Sequence, residues 1–305
     1  MILYNIGCGN IITRVREKPF KLEKEIQTLF ESNIHTIMGI ELVKSECTIK
    51  NRRIDTLAFD SSSNSFVIIE YKRDRNTSVF DQGITYLSLM LQNKADFIIE
   101  YNEALNRKLR RQDVDWSQTR VVFVSTDFTE NQIEATNFKD LSIELWTVKR
   151  FDNGTVAITA IQKSKTAESF KPLASKNKIM TDIATEIKVY TEEDALSGKP
   201  ADIAELYSRF RSAIVGLADD IEVKPTKLYV AFKKNNHNIT DIQVQFSALK
   251  IFINAKNGTL DDPKGLAKDI SSVGHWGNGD YALQVSDDRD LEYIMSLVKQ
   301  AVVSE

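Results

Sequence analysis

The chain has 305 residues, of which 42% are hydrophobic and 27% are charged, with only 12 Gly and 5 Pro. This composition excludes disordered and low-complexity classes, and the length predicts a globular protein of two domains. A net charge of -3, two cysteines and three dispersed histidines exclude a strongly basic nucleic-acid coat, a disulfide framework and a clustered zinc site.

The first half of the chain predicts helices and strands in alternation. Apolar residues at spacings of three and four predict an amphipathic helix over residues 22–34. Three strand-like runs follow and predict an antiparallel meander; they span residues 40–49, 53–59 and 66–71. Ser78, with Asp81 three residues later, marks the start of the next helix. The later predicted elements are a strand at 119–128, a helix at 129–138, and strands at 141–151 and 154–162. This order predicts an α/β fold with a central mixed sheet flanked by helices.

A Lys-, Ser- and Thr-rich stretch divides the chain. We therefore predict a first domain at residues 1–165, a linker at 166–190 and a second domain at 191–305. The second domain contains two amphipathic helices and several short strands, which predicts an α+β fold with the helices on one face of a sheet. Nothing in it has catalytic spacing, and it could bind nucleic acid, a protein partner or a second copy of the chain.

No apolar run approaches the roughly 20 residues that a membrane span requires, and no targeting segment is evident at the start of the sequence. We expect a cytoplasmic protein without a membrane partner. Residues 1–165 hold 23 Lys and Arg against 22 Asp and Glu, whereas residues 166–305 hold 17 against 21. The first half is therefore the better candidate to meet a phosphate backbone.

Two predicted strands place charged side chains among apolar ones. Alternation along residues 53–59 puts Asp55 on an otherwise apolar face, and along residues 66–72 it puts Glu70 and Lys72 on such a face. Burying unpartnered charges is costly, so this arrangement needs a compensating partner. Two carboxylates suit Mg²⁺ or Mn²⁺, and a nearby lysine could orient or deprotonate a metal-activated water.

The segments RIDTLAFD (53–60), VIIEYKR (67–73) and DQGITY (81–86) carry a family resemblance. They resemble the PD-(D/E)XK nuclease superfamily and are similar to its NucS-like endonuclease domain, with Gln82 and Tyr86 matching the QxxxY motif of the RecB-like branch. The resemblance covers about half the chain and implies a restriction-endonuclease-like core. It also implies that Asp55 and Glu70 bind the metal and that Lys72 activates the nucleophile, while Gln82 and Tyr86 support the catalytic site. Ile54 replaces the proline that the family places before its aspartate.

An acidic residue of the first helix often completes the metal site in this superfamily. By that resemblance Glu23 is the candidate third metal ligand, with Glu25 and Glu31 as alternatives. The second half of the chain resembles uncharacterised domains attached to nuclease modules.

Some charged and aromatic residues have both a functional and a structural interpretation. Four basic residues could bind a DNA backbone or could form an ordinary solvated surface. They are Arg107, Lys108, Arg110 and Arg111. His275 and Trp276 lie between glycines and could stack on a base or pack within their own domain. Glu70 and Lys72 could equally form a structural ion pair.

The sequence therefore predicts a Mg²⁺-dependent DNA endonuclease that hydrolyses phosphodiester bonds in repair or defence. The alternative is a catalytically inactive nuclease fold that binds nucleic acid or protein. A third hypothesis is a metal-dependent enzyme that acts on RNA.

Overall fold

A computed structural model describes residues 3–73, 78–273 and 279–303. The chain divides into two compact units. The first comprises Met1–Ile34 and Ile40–Val189, and the second comprises His35–Gly39 and Tyr190–Glu305. None of the helices in the described ranges is long and apolar enough to cross a membrane.

The described elements before Val189 follow the predicted alternation, with additions. The strands are β1 (Leu3–Ile6), β2 (Ile12–Val15), β3 (Glu41–Ile49), β4 (Arg52–Asp60), β5 (Ser65–Lys72), β6 (Arg120–Ser125), β7 (Ile143–Arg150) and β8 (Val156–Ile161). The helices are α1 (Glu23–Ser32), α2 (Ile34–Met38), α3 (Val79–Gln92), α4 (Lys94–Leu105), α5 (Glu130–Thr136), α6 (Lys171–Ala174) and α7 (Lys178–Glu186). All of α2 except its first residue falls in the second unit.

The main sheet of the first unit is mixed, with the strand order β3-β4-β5-β6-β7-β8 among the described residues. Strands β3, β4 and β5 form the predicted antiparallel meander. Strands β5, β6 and β7 run parallel, and β8 returns antiparallel to β7. Strands β1 and β2 form a separate antiparallel pair. The sheet confirms the predicted α/β class with a central mixed sheet flanked by helices.

Helices cover both faces of this sheet, which explains why β5 is buried from Ser65 to Tyr71. On one face, the Phe30 ring of α1 lies 5.9 Å from the Tyr71 ring in an edge-to-face arrangement. On the other face, the buried side chains of α3 pack with Phe66, Ile68 and other residues of the sheet in one apolar core.

Helix α4 is an element that the sequence analysis did not predict. Its buried side chains are Phe97 and Tyr101, and the partly buried Ile98 and Leu105 pack against the same core. The helix ends at Asn106, which adopts the left-handed conformation common at helix ends.

Residues 166–190 were predicted to form a linker, but in the structure they fold as part of the first unit. They include α6 and α7, and Phe170, Ala174 and Ile183 are buried in the apolar core of the first unit. Their Lys, Ser and Thr residues suggested a free connection, but the apolar residues between them are spaced to pack on a core. The first unit consequently extends to Val189.

The second unit is built around an antiparallel sheet with the order β13-β14-β12-β11-β10-β9 in its described part. The strands are β9 (Glu222–Pro225), β10 (Val230–Lys234), β11 (His237–Val244), β12 (Leu249–Ile253), β13 (Lys268–Asp269) and β14 (Tyr281–Val285). The helices are α8 (Glu192–Leu196), α9 (Ala201–Val215) and α10 (Leu291–Val303). Phe210 of α9 and Val298 of α10 are buried in one core with the sheet residues Ile242 and Ile251. This arrangement confirms the predicted α+β class.

Candidate active site at a fork in the sheet

The central feature of the candidate site is a fork between β4 and β5. The pairing of these strands ends at Thr56 with Ile69. Beyond that pair β4 stays on β3 as far as Arg52, while β5 stays on β6 as far as Lys72. Asp55 and Glu70 are the first residues past the last paired positions, so both carboxylates lie where the strands separate.

Strand separation frees backbone groups that a ladder would otherwise pair, and side chains take their place. The Tyr71 amide donates to Asp55 Oδ2 at 3.1 Å. The Tyr86 hydroxyl lies 3.0 Å from the Arg53 carbonyl and 2.9 Å from Glu70 Oε2, and its single proton is donated to one of these acceptors at a time. Gln27 Nε2 donates to the Asp55 carbonyl at 3.0 Å. The fork is therefore a stabilised feature of the fold rather than a frayed end.

Glu70 is the hub of the site and is only 6% exposed. Its Oε1 accepts hydrogen bonds from Lys72 Nζ at 2.8 Å and from Gln82 Nε2 at 2.6 Å. Its Oε2 lies 2.9 Å from the Tyr86 hydroxyl. The structure thus brings together Glu70 and three of the residues predicted with it.

Two local features of α3 hold Gln82 and Tyr86 against β5. The Ser78 hydroxyl caps the helix by accepting from the Asp81 amide at 3.2 Å. Gly83 lets the helix approach the sheet closely, because a Cβ there would meet Ile143 Cδ1 at 2.4 Å and Phe123 Cε2 at 3.4 Å. The glycine inside DQGITY therefore has a packing role between the two polar residues.

Asp55 lies in an environment that disfavours its charge. Burial, followed by the charge of Glu70, raises the pKa of Asp55 to about 6. The Tyr71 amide and Lys72 partly offset these effects. A cation beside Asp55 and Glu70 would relieve the repulsion between them.

The donor set at the fork fits a hard divalent cation. Asp55 and Glu70 supply carboxylate oxygens, and Gln82 Oε1 is buried without a hydrogen-bond partner. Within the described ranges, no three side chains of the His, Cys, Asp and Glu types converge closely enough to hold a metal ion by themselves. Mg²⁺ commonly retains several waters, so two carboxylates are a sufficient protein contribution.

The structure does not bring Glu23 into a three-acid cluster with Asp55 and Glu70. Glu23 Oε1 instead accepts from the Arg73 amide at 2.9 Å, one residue beyond the end of β5. Glu25 pairs with Arg150 at 3.0 Å. Glu31 Oε1 accepts from the Thr56 hydroxyl at 2.5 Å. Of these three acids, Glu23 is the one held where β5 ends.

The basic cluster lies apart from the fork, and two of its four residues pair with acidic side chains. Arg107 forms a bidentate pair with Glu41 at 2.6 and 2.8 Å, and Arg110 binds both oxygens of Asp113 at 2.9 Å. Glu41 pairs with Phe59, four residues along β4 from Asp55, a separation of roughly 13 Å. Lys108 and Arg111 are exposed. His275 and Trp276 lie outside the described residues.

Sequence reasoning missed Gln27, which is only 4% exposed. Besides the Asp55 carbonyl, its Nε2 contacts Ser45 Oγ at 3.2 Å and Glu31 Oε1 at 2.9 Å. The available signal was its position three residues before Phe30 on the apolar side of α1. A polar residue on such a face requires a buried partner.

The fold and the site define a two-unit protein whose α/β unit carries Gln, Tyr and Lys side chains around a buried Glu at a forked sheet. An uncharacterized protein of Haemophilus influenzae is 54% identical over 291 residues, which cover 95% of this chain and 96% of that protein. The chain belongs to the family of this protein. Residues 192–302 match the model of a domain of unknown function, DUF5655.

Comparison with solved structures gives partial similarities to endonucleases. A repair endonuclease from Pyrococcus abyssi is 19% identical, with 42% of this chain and 48% of that chain covered and a TM-score of 0.25. EndoMS in apo form is 19% identical, with 43% and 48% covered and a TM-score of 0.28. An EndoMS complex with double-stranded DNA is 21% identical, with 39% and 43% covered and a TM-score of 0.21. The chain spans about half the length of these structures or less.

Proposed function

We propose that the first unit is a Mg²⁺- or Mn²⁺-dependent DNA endonuclease domain that hydrolyses phosphodiester bonds in repair or defence. The observation that supports this proposal is the convergence of Lys72, Gln82 and Tyr86 on the buried Glu70 carboxylate, beside Asp55. An ordinary structural ion pair would account for Lys72 and Glu70 alone. It would not account for a second, poorly compensated carboxylate at the same fork.

In this proposal Asp55 and Glu70 hold the cation, which would lower the pKa of a bound water and stabilise charge on the scissile phosphate. Lys72 Nζ donates to Glu70 Oε1 at 2.8 Å and is placed to orient the attacking water. Gln82 and Tyr86 fix the two oxygens of Glu70. These contacts make Glu70 a rigid ligand and leave Asp55 to gain its partner from the cation.

Cleavage assays test the proposal directly. Single-stranded, duplex and branched DNA, together with RNA of matched sequence, would be incubated with Mg²⁺ or Mn²⁺ and with EDTA. The parent would be compared with Asp55→Asn and Lys72→Met, and with Asp219→Asn and Lys227→Met at exposed positions as matched controls. Metal-dependent cleavage that both site variants abolish and both controls keep is expected. Cleavage that survives Asp55→Asn would refute the assignment, and cleavage of RNA alone would reassign the substrate.

A second candidate function is a catalytically inactive nuclease fold that binds nucleic acid or protein. It is favoured by the three protein groups that already lie within hydrogen-bond distance of Glu70, on Lys72, Gln82 and Tyr86. Calorimetric titration with Mn²⁺ separates the two candidates. The endonuclease requires binding that Asp55→Asn and Glu70→Gln each weaken strongly, whereas the inactive module predicts the same heats for all three proteins.

A further inference from the structure

A group of exposed basic residues surrounds the open end of the fork. We call Lys24, Arg52, Arg53 and Arg73 the fork-mouth cations. Arg52 and Arg53 begin β4, and Arg73 follows the end of β5. Because β4 and β5 are antiparallel, the start of β4 and the end of β5 lie at the same end of this strand pair. Lys24 joins the group because it and Arg53 both pair with Glu46.

Two of the fork-mouth cations, Arg53 and Arg73, have backbone groups that contact side chains at the fork. The Arg53 carbonyl accepts from Tyr86, whose hydroxyl also contacts Glu70. The Arg73 amide donates to Glu23, and the Arg73 side chain donates to the Lys21 carbonyl at 2.5 Å. The carboxylates and the exposed cations therefore lie at the same end of the β4–β5 pair.

Their exposure indicates a role outside the folded core. The side chains of Arg53 and Lys24 are 70% and 58% exposed, and Arg52 and Arg73 are also exposed. Surface ion pairs of this kind contribute little to stability. Guanidinium groups bind phosphate oxygens in a bidentate geometry, and several together suit a phosphodiester backbone.

Glu46 is placed to limit this positive charge. One of its oxygens accepts from Lys24 at 2.9 Å, and the other accepts from Arg53 Nε at 2.5 Å. The hydrogen bond from Lys24, with help from Arg53, holds the pKa of Glu46 below its usual value. Lys24 and Arg53 therefore both bind the ionised carboxylate of Glu46, and a phosphate would have to displace that carboxylate to bind them.

We propose that the fork-mouth cations bind the sugar–phosphate backbone of a nucleic acid next to the candidate active site, and that Glu46 weakens this binding by competing for Lys24 and Arg53. The inference rests on the proposed function in taking the strand to be the substrate of that site. It moves the nucleic-acid surface away from Arg107, whose partner Glu41 lies roughly 13 Å along the sheet from Asp55, and towards the cations at the open end of the fork.

Binding measured without cleavage tests this inference. The full chain carrying Asp55→Asn would be titrated in EDTA against fluorescein-labelled single-stranded and duplex DNA, with anisotropy as the readout at several salt concentrations. Arg52→Gln with Arg53→Gln should weaken binding about tenfold or more and reduce the magnitude of the salt slope by about 2. Glu46→Gln should tighten binding about threefold or more, since it releases two cations.

Two further double variants serve as comparisons. Lys227→Gln with Lys299→Gln removes the same charge from exposed positions of the second unit and should leave affinity near that of the parent. Arg110→Gln with Arg111→Gln tests the alternative surface. The inference is overturned if the Arg52 and Arg53 variant binds like the charge-matched control, if Glu46→Gln does not tighten binding, or if only the Arg110 and Arg111 variant loses affinity. A gain of affinity in Glu46→Gln cannot arise from misfolding.

The two proposals fail in different ways. If metal-dependent cleavage is absent while the Arg52 and Arg53 variant still loses binding, the endonuclease proposal fails and the nucleic-acid surface stands. If cleavage is present but the fork-mouth substitutions do not change DNA affinity, the proposed nucleic-acid surface is refuted and the endonuclease proposal stands.

Discussion

The Gln27 side chain of α1 donates a hydrogen bond to the Asp55 carbonyl of β4 at 3.0 Å, linking the first helix to the fork across 28 positions of sequence. The amide is almost completely buried and also contacts Ser45 and Glu31. One side chain therefore satisfies a carbonyl at the point where β4 leaves β5. This contact helps to hold the backbone of Asp55, whose neighbours Ile54 and Thr56 pair with β3.

Gln27→Leu should lower the free energy of unfolding by about 2 kcal/mol, because it leaves a buried carbonyl without its donor. Urea denaturation at neutral pH measures the change. Thr28→Ala, at the exposed neighbouring position, should change stability by well under half of that amount. Equal stability of Gln27→Leu and the parent would show that water replaces the amide without loss.

Asp55→Asn should stabilise the metal-free protein at neutral pH. The pKa of Asp55 is raised from 3.8 to about 6 in the folded state, so its ionised form opposes folding by up to about 3 kcal/mol above pH 6, or about 2 kcal/mol once screening by solvent at this partly exposed group is allowed for. The folded state holds the proton more tightly, and the penalty therefore disappears as pH falls below about 4. An asparagine keeps the acceptor for the Tyr71 amide and removes the charge.

Thermal or urea unfolding in EDTA between pH 4 and pH 8 measures this effect. The gain from Asp55→Asn should be largest at pH 7–8 and negligible near pH 4, whereas Asp219→Asn should give no such trend. A gain that is independent of pH would mean that the charge of Asp55 is not its cause.

Tyr86→Phe should weaken Mn²⁺ binding by roughly tenfold, in the range found when a hydrogen bond to a metal ligand is removed. Burial, with the nearby charge of Glu70, raises the pKa of Tyr86 far above its ordinary value, so the hydroxyl stays protonated as a donor. Calorimetry provides the readout. Tyr101→Phe removes a buried-core hydroxyl that accepts from Arg107 and should leave Mn²⁺ affinity unchanged. Equal losses in the two variants would point to a general effect of hydroxyl removal.

Phe170→Ala should destabilise the first unit by about 3–5 kcal/mol. Phe170 is 1% exposed and packs edge-to-face against Phe80 and Phe138, although it lies in the segment predicted to be a linker. Leu173→Ala, at a 39% exposed position of the same segment, is the control and should cost far less. Chemical denaturation of both variants decides whether residues 166–190 belong to the folded core.

The sequence could predict which side chains share a face, because strand and helix periods are local properties. Alternation placed Asp55, Glu70 and Lys72 together, and helical spacing paired Gln82 with Tyr86. It could not predict where the strands part, since that depends on contacts between residues far apart along the chain.

Composition was also a poor guide to residues 166–190. Their polar residues dominate the count, whereas a few apolar side chains determine whether the segment packs. The roles of individual site residues remain predictions that the variants above test.

Gly83→Ala should destabilise the first unit by about 1 kcal/mol net, because a Cβ at this position would lie 2.4 Å from Ile143 Cδ1 and 3.0 Å from its Cγ1. That overlap costs about 1–3 kcal/mol, and the higher helix propensity of alanine offsets about 1 kcal/mol of it. Relieving that overlap by moving α3 away from the sheet would also move Gln82 and Tyr86 away from Glu70. The damage should therefore appear in Mn²⁺ affinity as well as in stability.

Ile143→Val removes the Cδ1 atom and provides an internal test. Alone it should cost about 0.5–1.5 kcal/mol, but combined with Gly83→Ala it should restore part of the lost stability and metal affinity. Denaturation and calorimetry on the double-mutant cycle measure the coupling. Additive losses would show that the close approach of α3 to β7 does not set the position of the site. A favourable coupling would show that the positions of Gln82 and Tyr86 depend on the close packing that Gly83 allows.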